Sequence, residues 1–230
     1  MINIDENLIT LATILKSKAE LFVVGGYVRD SILNKRPKDI DLTSKLTVNE
    51  LASALKGTSF NVNITNKTFG TAKIVVDNKA YEYTSFRKDK YVSGKHSPKE
   101  VLFISSLDED SKRRDFTINA IYYNILKQKF VDPLNGIADL KNKKLKEINN
   151  TTLKFDGERI LRLIKYSCEL NLKIDNETFL HAKQYNKNVY LLSKDMLNSY
   201  RKLFTSFSFF KKIKLKRCLK QLGLAFLIKQ

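Results

Sequence analysis

Apolar residues recur with two different periods along this chain, which alternate over the first 150 residues and give way to the helical one alone beyond them. Leu8, Leu11, Ile14 and Leu15 sit at helical steps, so the first 20 residues predict a helix. Leu-Phe-Val-Val at 21–24 is an apolar, β-branched run and predicts a buried strand. Gly25-Gly26 then opens one or two helical turns over 27–33, and 39–42 predicts the next strand. Thr47, with Glu50 three residues on, predicts a capping box for a helix that runs to Leu55 and ends near Gly57. Three strands follow at 60–64, 71–76 and 80–86, with Asp77-Asn78 turning between the last two. Residues 87–100 are charged, carry Gly and Pro, show no apolar period and predict a flexible loop. Ser106 and Glu109 form a second capping-box pattern, for a helix reaching Ile121. Residues 130–136 predict a short strand broken by a Pro-Asn-Gly turn. From Thr151 the pattern is helical only: Ile160, Leu161, Ile164 and Cys168 make a core stripe, and further helices are expected near 176–186, 195–204 and 208–222. The shift at 145–155 divides the chain into a mixed α/β domain, 1–150, and an all-α domain, 151–230.

Charge changes this picture. The chain has 230 residues, with 42 Lys+Arg against 24 Asp+Glu, a formal net charge of +18. Such a balance attracts polyanions, nucleic acid foremost. Lys211, Lys212, Lys214, Lys216, Arg217 and Lys220 put six bases within ten positions of one expected helix, making it the candidate RNA-binding face. Two cysteines, Cys168 and Cys218, both in helical apolar contexts, read as reduced thiols of an intracellular protein. The N-terminus lacks the basic and apolar regions of a secretion signal, and no stretch approaches a membrane span, so the expected location is cytoplasmic.

The chemistry concentrates in three places. The Gly-Gly pair between strand and helix leaves backbone N–H groups bare where a triphosphate can sit. Asp39 and Asp41 flank one residue of an expected strand, so period-2 alternation points both carboxylates the same way, toward shared divalent ions. Glu82 is the best third carboxylate from an adjacent strand. Asp115 and Asn119, four apart on the expected helix and next to Arg114, can hold a ribose hydroxyl and phosphate oxygens. Asp156, Arg159 and Arg162, at i, i+3 spacing on the first helix of the second domain, can accept from and donate to the edge of a base.

The motifs GGYVRD (25–30), DID (39–41), YEYTSFR (81–87), SKRRDFTINAIYYN (111–124), VDPLNGIADL (131–140) and FDGERILRLIKYSCELNLKID (155–175) occur in order and at suitable spacing. In them the chain resembles the class II tRNA nucleotidyltransferases, the CCA-adding enzymes, which share a polymerase-β-like catalytic fold with bacterial poly(A) polymerases. The resemblance implies an α+β head, a mixed sheet with flanking helices, followed by an all-α neck, with body and tail domains absent or reduced. It implies two Mg²⁺ ions on Asp39 and Asp41, with Glu82 as the further catalytic carboxylate. Gly25, Gly26 and Arg29 would lie at the triphosphate, and Arg114, Asp115 and Asn119 at the ribose and phosphates. Asp156 and Arg159 would select CTP and then ATP without a nucleic acid template, and residues 87–100 would be the family's flexible loop. Where the family commonly has an acidic pair, this chain has Phe155-Asp156. The implied activity is addition of CCA to tRNA 3′ ends. A-adding, CC-adding or poly(A) addition are the enzymatic alternatives, and a non-catalytic RNA-binding protein is the alternative of another class.

Overall fold

The computed structural model describes residues 2–37, 39–91 and 98–228. The chain forms two compact units, one of Met1–Asp89 with Glu100–Ile137 and one of Lys90–Lys99 with Ala138–Gln230. The change of composition at 145–155 thus falls inside the second unit.

In the first unit, Asp5 caps α1 (Glu6–Leu15), which buries Leu8, Leu11, Ala12 and Leu15. β1 (Phe22–Val24) leads through Gly25 into α2 (Gly26–Ile32), and β2 (Asp41–Ser44) follows. The second strand therefore starts two residues later than the sequence suggests, although the Ile40 carbonyl already accepts from Glu82 N at 3.3 Å. The capping box of α3 (Val48–Leu55) is present in both directions between Thr47 and Glu50. β3 (Asn61–Asn66), β4 (Thr71–Val76) and β5 (Lys79–Ser85) form a meander, with Asp77 and Asn78 both at positive φ in its second turn. The ends of the expected loop are a two-stranded ribbon, β6 (Arg87–Lys90) on β7 (Glu100–Phe103); the segment 92–97 lies outside the described residues.

The helix expected to reach Ile121 is shorter. α4 (Leu107–Lys112), capped by Ser106, stops at Arg113. The chain then extends at Phe116, makes one 3-10 turn at Thr117–Asn119 and enters β8 (Tyr122–Asn124), a strand the periodicity did not reveal. Phe116, Ile118, Ala120, Ile121 and Tyr122 are all fully buried. A stretch covered on every side carries no amphipathic period to separate helix from strand. β9 (Lys129–Val131) closes the seven-stranded sheet, ordered β3-β4-β5-β2-β1-β8-β9, in which only β2 and β5 run parallel. Central β1 is buried along its whole length, as its unbroken apolar run requires. Phe22, Val24, Phe86 and Tyr122 pack as one core cluster beside it. Asp132 then caps α5 (Gly136–Lys141) by accepting from Gly136 N and Ile137 N.

The second unit is helical with one exception. β10 (Lys144–Leu145) and β11 (Lys173–Ile174) pair in parallel across two residues, so the stretch after Thr151 is not helical throughout. Asn171 at φ 53° turns the chain out of the preceding helix and into that pairing. α6 (Thr152–Phe155) precedes α7 (Gly157–Glu169), whose Ile160, Leu161, Leu163, Ile164 and Cys168 are buried as the stripe predicts. α8 (Asn176–Gln184), α9 (Lys194–Thr205) and α10 (Phe209–Gln221) follow, and α10 packs Leu215, Cys218 and Leu219 inward against α7. Each such side chain contributes about 1.5–3 kcal/mol. Burial pushes the Cys168 thiol up to about 11 and the Cys218 thiol up to about 12, so both stay protonated at neutral pH. Among the described residues no helix is long and apolar enough to cross a membrane.

Candidate active site

The strand–Gly-Gly–helix unit folds as the sequence implies. Gly25 has φ 78° and ψ −137°, a conformation closed to residues with a side chain, and a Cβ there would stand 3.3 Å from Asp41 Oδ2. Antiparallel pairing of Val24 with Asp41 brings that carboxylate over the turn. Gly26 differs: a Cβ on it would meet only Arg29 Nη2, at an ordinary 3.7 Å. No neighbouring protein atom demands glycine at 26.

Arg29 is buried beneath this turn. Its Nε donates to Asp30 Oδ1 at 2.8 Å and its Nη1 to Asn119 Oδ1 at 2.8 Å, while Asn119 Nδ2 donates to Asp115 Oδ1 at 2.9 Å. Asp115 also accepts from Phe116 N. Asp115 and Asn119 therefore meet as expected, but across an extended residue and a 3-10 turn rather than along an α-helix. The chain Asp30–Arg29–Asn119–Asp115 joins α2 to the segment after α4 and fixes all four side chains.

Asp39 and Asp41 are both exposed, Asp39 just ahead of β2 and Asp41 as its first residue. They are hard oxygen donors open to solvent, which fits divalent cations. Glu82 stands beside Asp41 in the parallel register, yet its carboxylate is taken by Lys73 Nζ at 3.1 Å across β4 and β5. Among the described residues no group of three His, Cys, Asp or Glu side chains is placed to hold a metal ion.

Arg114 has partners the sequence reading overlooked. Its Nη2 donates to Asp110 Oδ2 at 3.0 Å and its Nε to the Tyr122 hydroxyl at 3.0 Å, with the guanidinium 5.1 Å from the Tyr122 ring centre. Burial works against the Arg114 charge, but Tyr122 and Asp110 outweigh it and raise its pKa further. Asp110 lies three and four residues before Arg113 and Arg114, an i, i+3/i+4 charge pattern that could have flagged it.

In the second unit Asp156 is not within a helix turn but caps α7, accepting from Glu158 N at 2.9 Å through Oδ1, with Oδ2 3.7 Å from Arg159 Nε. Arg159 donates to the Thr152 carbonyl at 3.4 Å and the Tyr91 hydroxyl at 3.1 Å, and lies over the Tyr91 ring at 5.3 Å. Phe155, in the place of an acid, stacks on Tyr91 with centroids 6.1 Å apart and planes within 7°. Arg162 reaches the ring of Tyr166, one turn on, at 5.5 Å.

On α10, Lys212, Lys216 and Arg217 face solvent and Lys211 lies over the Phe207 ring at 6.0 Å. Lys214 is a correction to the expected RNA face. It turns inward to donate to the Leu172 carbonyl at 2.9 Å and Asn171 Oδ1 at 3.3 Å, tying down the exit of α7, and burial lowers its pKa.

Comparison with known proteins places this arrangement. A CCA-adding enzyme of Enterococcus faecalis is 33% identical over 169 residues, covering 73% of this chain and 40% of the relative. One from Staphylococcus epidermidis is 36% identical over 165 residues, covering 70% and 39%. The chain thus spans about two-fifths of the length of these curated relatives. The Bacillus stearothermophilus CCA-adding enzyme in complex with CTP shares the fold at a TM-score of 0.81 and 24% identity, over 94% of this chain and 52% of that one. A tRNA nucleotidyltransferase complexed with a primer tRNA and an incoming ATP analogue gives 0.74 at 26% identity, over 96% and 62%. The profile described as the poly(A) polymerase head domain matches residues 21–146, more than half of the sequence and all of the first-unit site from Gly25 to Asn119. The chain belongs to the family of the poly(A) polymerase head domain.

Proposed function

We propose that this chain adds CCA to tRNA 3′ ends from CTP and ATP, in the cytoplasm, by two-metal nucleotidyl transfer. The observation that carries the reading is the Asp41 carboxylate lying directly over the bare Gly25-Gly26 turn. A metal donor and a phosphate seat are thereby adjacent. The relatives, named CCA-adding enzymes, and the solved complexes with CTP and with primer tRNA support the substrates. The first unit serves as the catalytic head and the second as the selecting neck.

Asp39 and Asp41 would hold two Mg²⁺ ions, which when bound would acidify the attacking 3′-hydroxyl and offset the charge of the pyrophosphate leaving group. Glu82, beside Asp41 in the parallel register, would be the third carboxylate once it leaves Lys73. Its half-exposed pair with Lys73 is worth only about 0–1 kcal/mol and can be exchanged. Gly25 and Gly26 offer backbone N–H groups to the triphosphate. Arg29 and Arg114 face it with fixed charge, and Asp115 and Asn119 orient the ribose. Asp156, Arg159 and Arg162 read the base edge. Lys211, Lys212, Lys216 and Arg217 bind the RNA backbone, while Lys214 holds their helix in place.

Arg159→Ala tests the selecting role. Discrimination of CTP against UTP is expected to fall by about 10- to 100-fold, with total transfer falling less. Equal discrimination by the variant and the unaltered protein would remove the selecting role. The match to a poly(A) polymerase head favours addition of A alone as the second reading.

A further inference from the structure

The carboxylate of Asp110 has no solvent exposure, and it is not among the groups placed at metal, nucleotide or RNA above. Its Oδ1 accepts from Arg113 Nε at 2.7 Å and from the backbone N of Arg87 at 3.2 Å. Its Oδ2 accepts from Arg114 Nη2 at 3.0 Å and from the Tyr122 hydroxyl at 2.7 Å. These four bonds use the full acceptor capacity of a carboxylate. Tyr122 closes the ring by accepting from Arg114 Nε at 3.0 Å. The donors come from the start of β6, the end of α4 and β8. Burial opposes the Asp110 charge, yet Arg114 and Arg113 hold its carboxyl down at about 2, so the anchor stays ionised at any working pH.

We infer that Asp110 is a positioning residue that, with Tyr122, locks Arg114 in the orientation in which it meets the triphosphate, and ties the root of the 87–100 segment to the same point. A guanidinium held at both Nε and Nη2 cannot swing about its last torsions. What it can still do is present its remaining donors in one direction. A buried arginine pair with no ligand role could be replaced by packing at little cost. Here the anchor holds one of the arginines proposed to meet substrate, so the inference rests on the nucleotidyl-transfer reading.

The test uses inorganic tripolyphosphate as probe, titrated calorimetrically into the full chain and into Asp110→Asn, Tyr122→Phe, Arg114→Ala and the Asp110→Asn/Arg114→Ala double variant. Thermal melts check folding, and Tyr122→Phe, which removes one hydroxyl, serves if Asp110→Asn does not fold. The expected result is affinity weaker by about tenfold in Asp110→Asn and about threefold in Tyr122→Phe, with the double variant no weaker than Arg114→Ala alone. The ratio of CTP to UTP incorporation stays unchanged in Asp110→Asn and in Tyr122→Phe, which separates positioning of phosphate from general loosening. Additive losses in the double variant, or unaltered affinity in folded Asp110→Asn and Tyr122→Phe, overturn the inference and leave the nucleotidyl-transfer reading standing. Wild-type affinity in Arg114→Ala removes both Arg114 from the triphosphate site and the inference built on it.

Discussion

Asp41→Asn is expected to lower nucleotide incorporation by at least about a thousandfold, equivalent to about 4 kcal/mol of barrier, while leaving the fold intact. The side chain is exposed and adds nothing to the core, so its replacement costs little stability. Asparagine keeps the size and the backbone pairing with Val24 and Glu82. What it removes is one negative charge and one hard oxygen at the place where Gly25 leaves room for a ligand. Single-turnover incorporation beside a thermal melt checks this. A variant that melts normally and still incorporates within tenfold of the unaltered protein rules out Asp41 as a metal donor.

Gly157→Ala is expected to cost about 3 kcal/mol and to lower the melting temperature by about 10 °C, through close approach rather than through backbone strain. A Cβ at 157 would stand 2.3 Å from the Asn188 carbonyl oxygen, 2.6 Å from its carbon and 2.9 Å from Val189 N. These are backbone atoms and cannot rotate aside. Asn188 is further pinned by its side-chain bond to the Lys154 carbonyl at 2.7 Å and its backbone bond to Tyr185 at 3.0 Å. Relief must come from shifting the start of α7, which carries Arg159 two residues on. Base discrimination should therefore weaken in whatever fraction remains folded. A calorimetric melt decides it: a change under about 1 kcal/mol would mean that the 186–191 turn yields without cost.

Much of this was legible in the sequence wherever one face of an element meets water. β4 comes out with its bounds unchanged, and the Thr47–Glu50 box and the Asp77-Asn78 turn follow from local hydrogen-bond and backbone preferences. Segments covered on all sides were opaque. The run from Phe116 to Tyr122 gave no period, and β8 was lost in an overlong helix. Parallel pairing of β10 with β11 joins residues almost thirty apart and leaves no local trace.

The site divides the same way. Gly25, Arg29, Asp41, Asp115 and Asn119 stood out through the spacing and order of the motifs that carry them. Lys73, which takes Glu82, and Asp110, which takes Arg114, are partner residues visible only once strands and helices are in register. Lys214 shows the converse. A basic run on one helix need not share one face, and the 214 side chain points to the Leu172 carbonyl, just past the end of α7.

The central claim is tested most directly by incubating the purified chain with a tRNA lacking its 3′ CCA, in Mg²⁺, with CTP alone, ATP alone and both. The account predicts a product two nucleotides longer with CTP and three nucleotides longer with both. Long tails from ATP alone, or no extension under any condition, would contradict it.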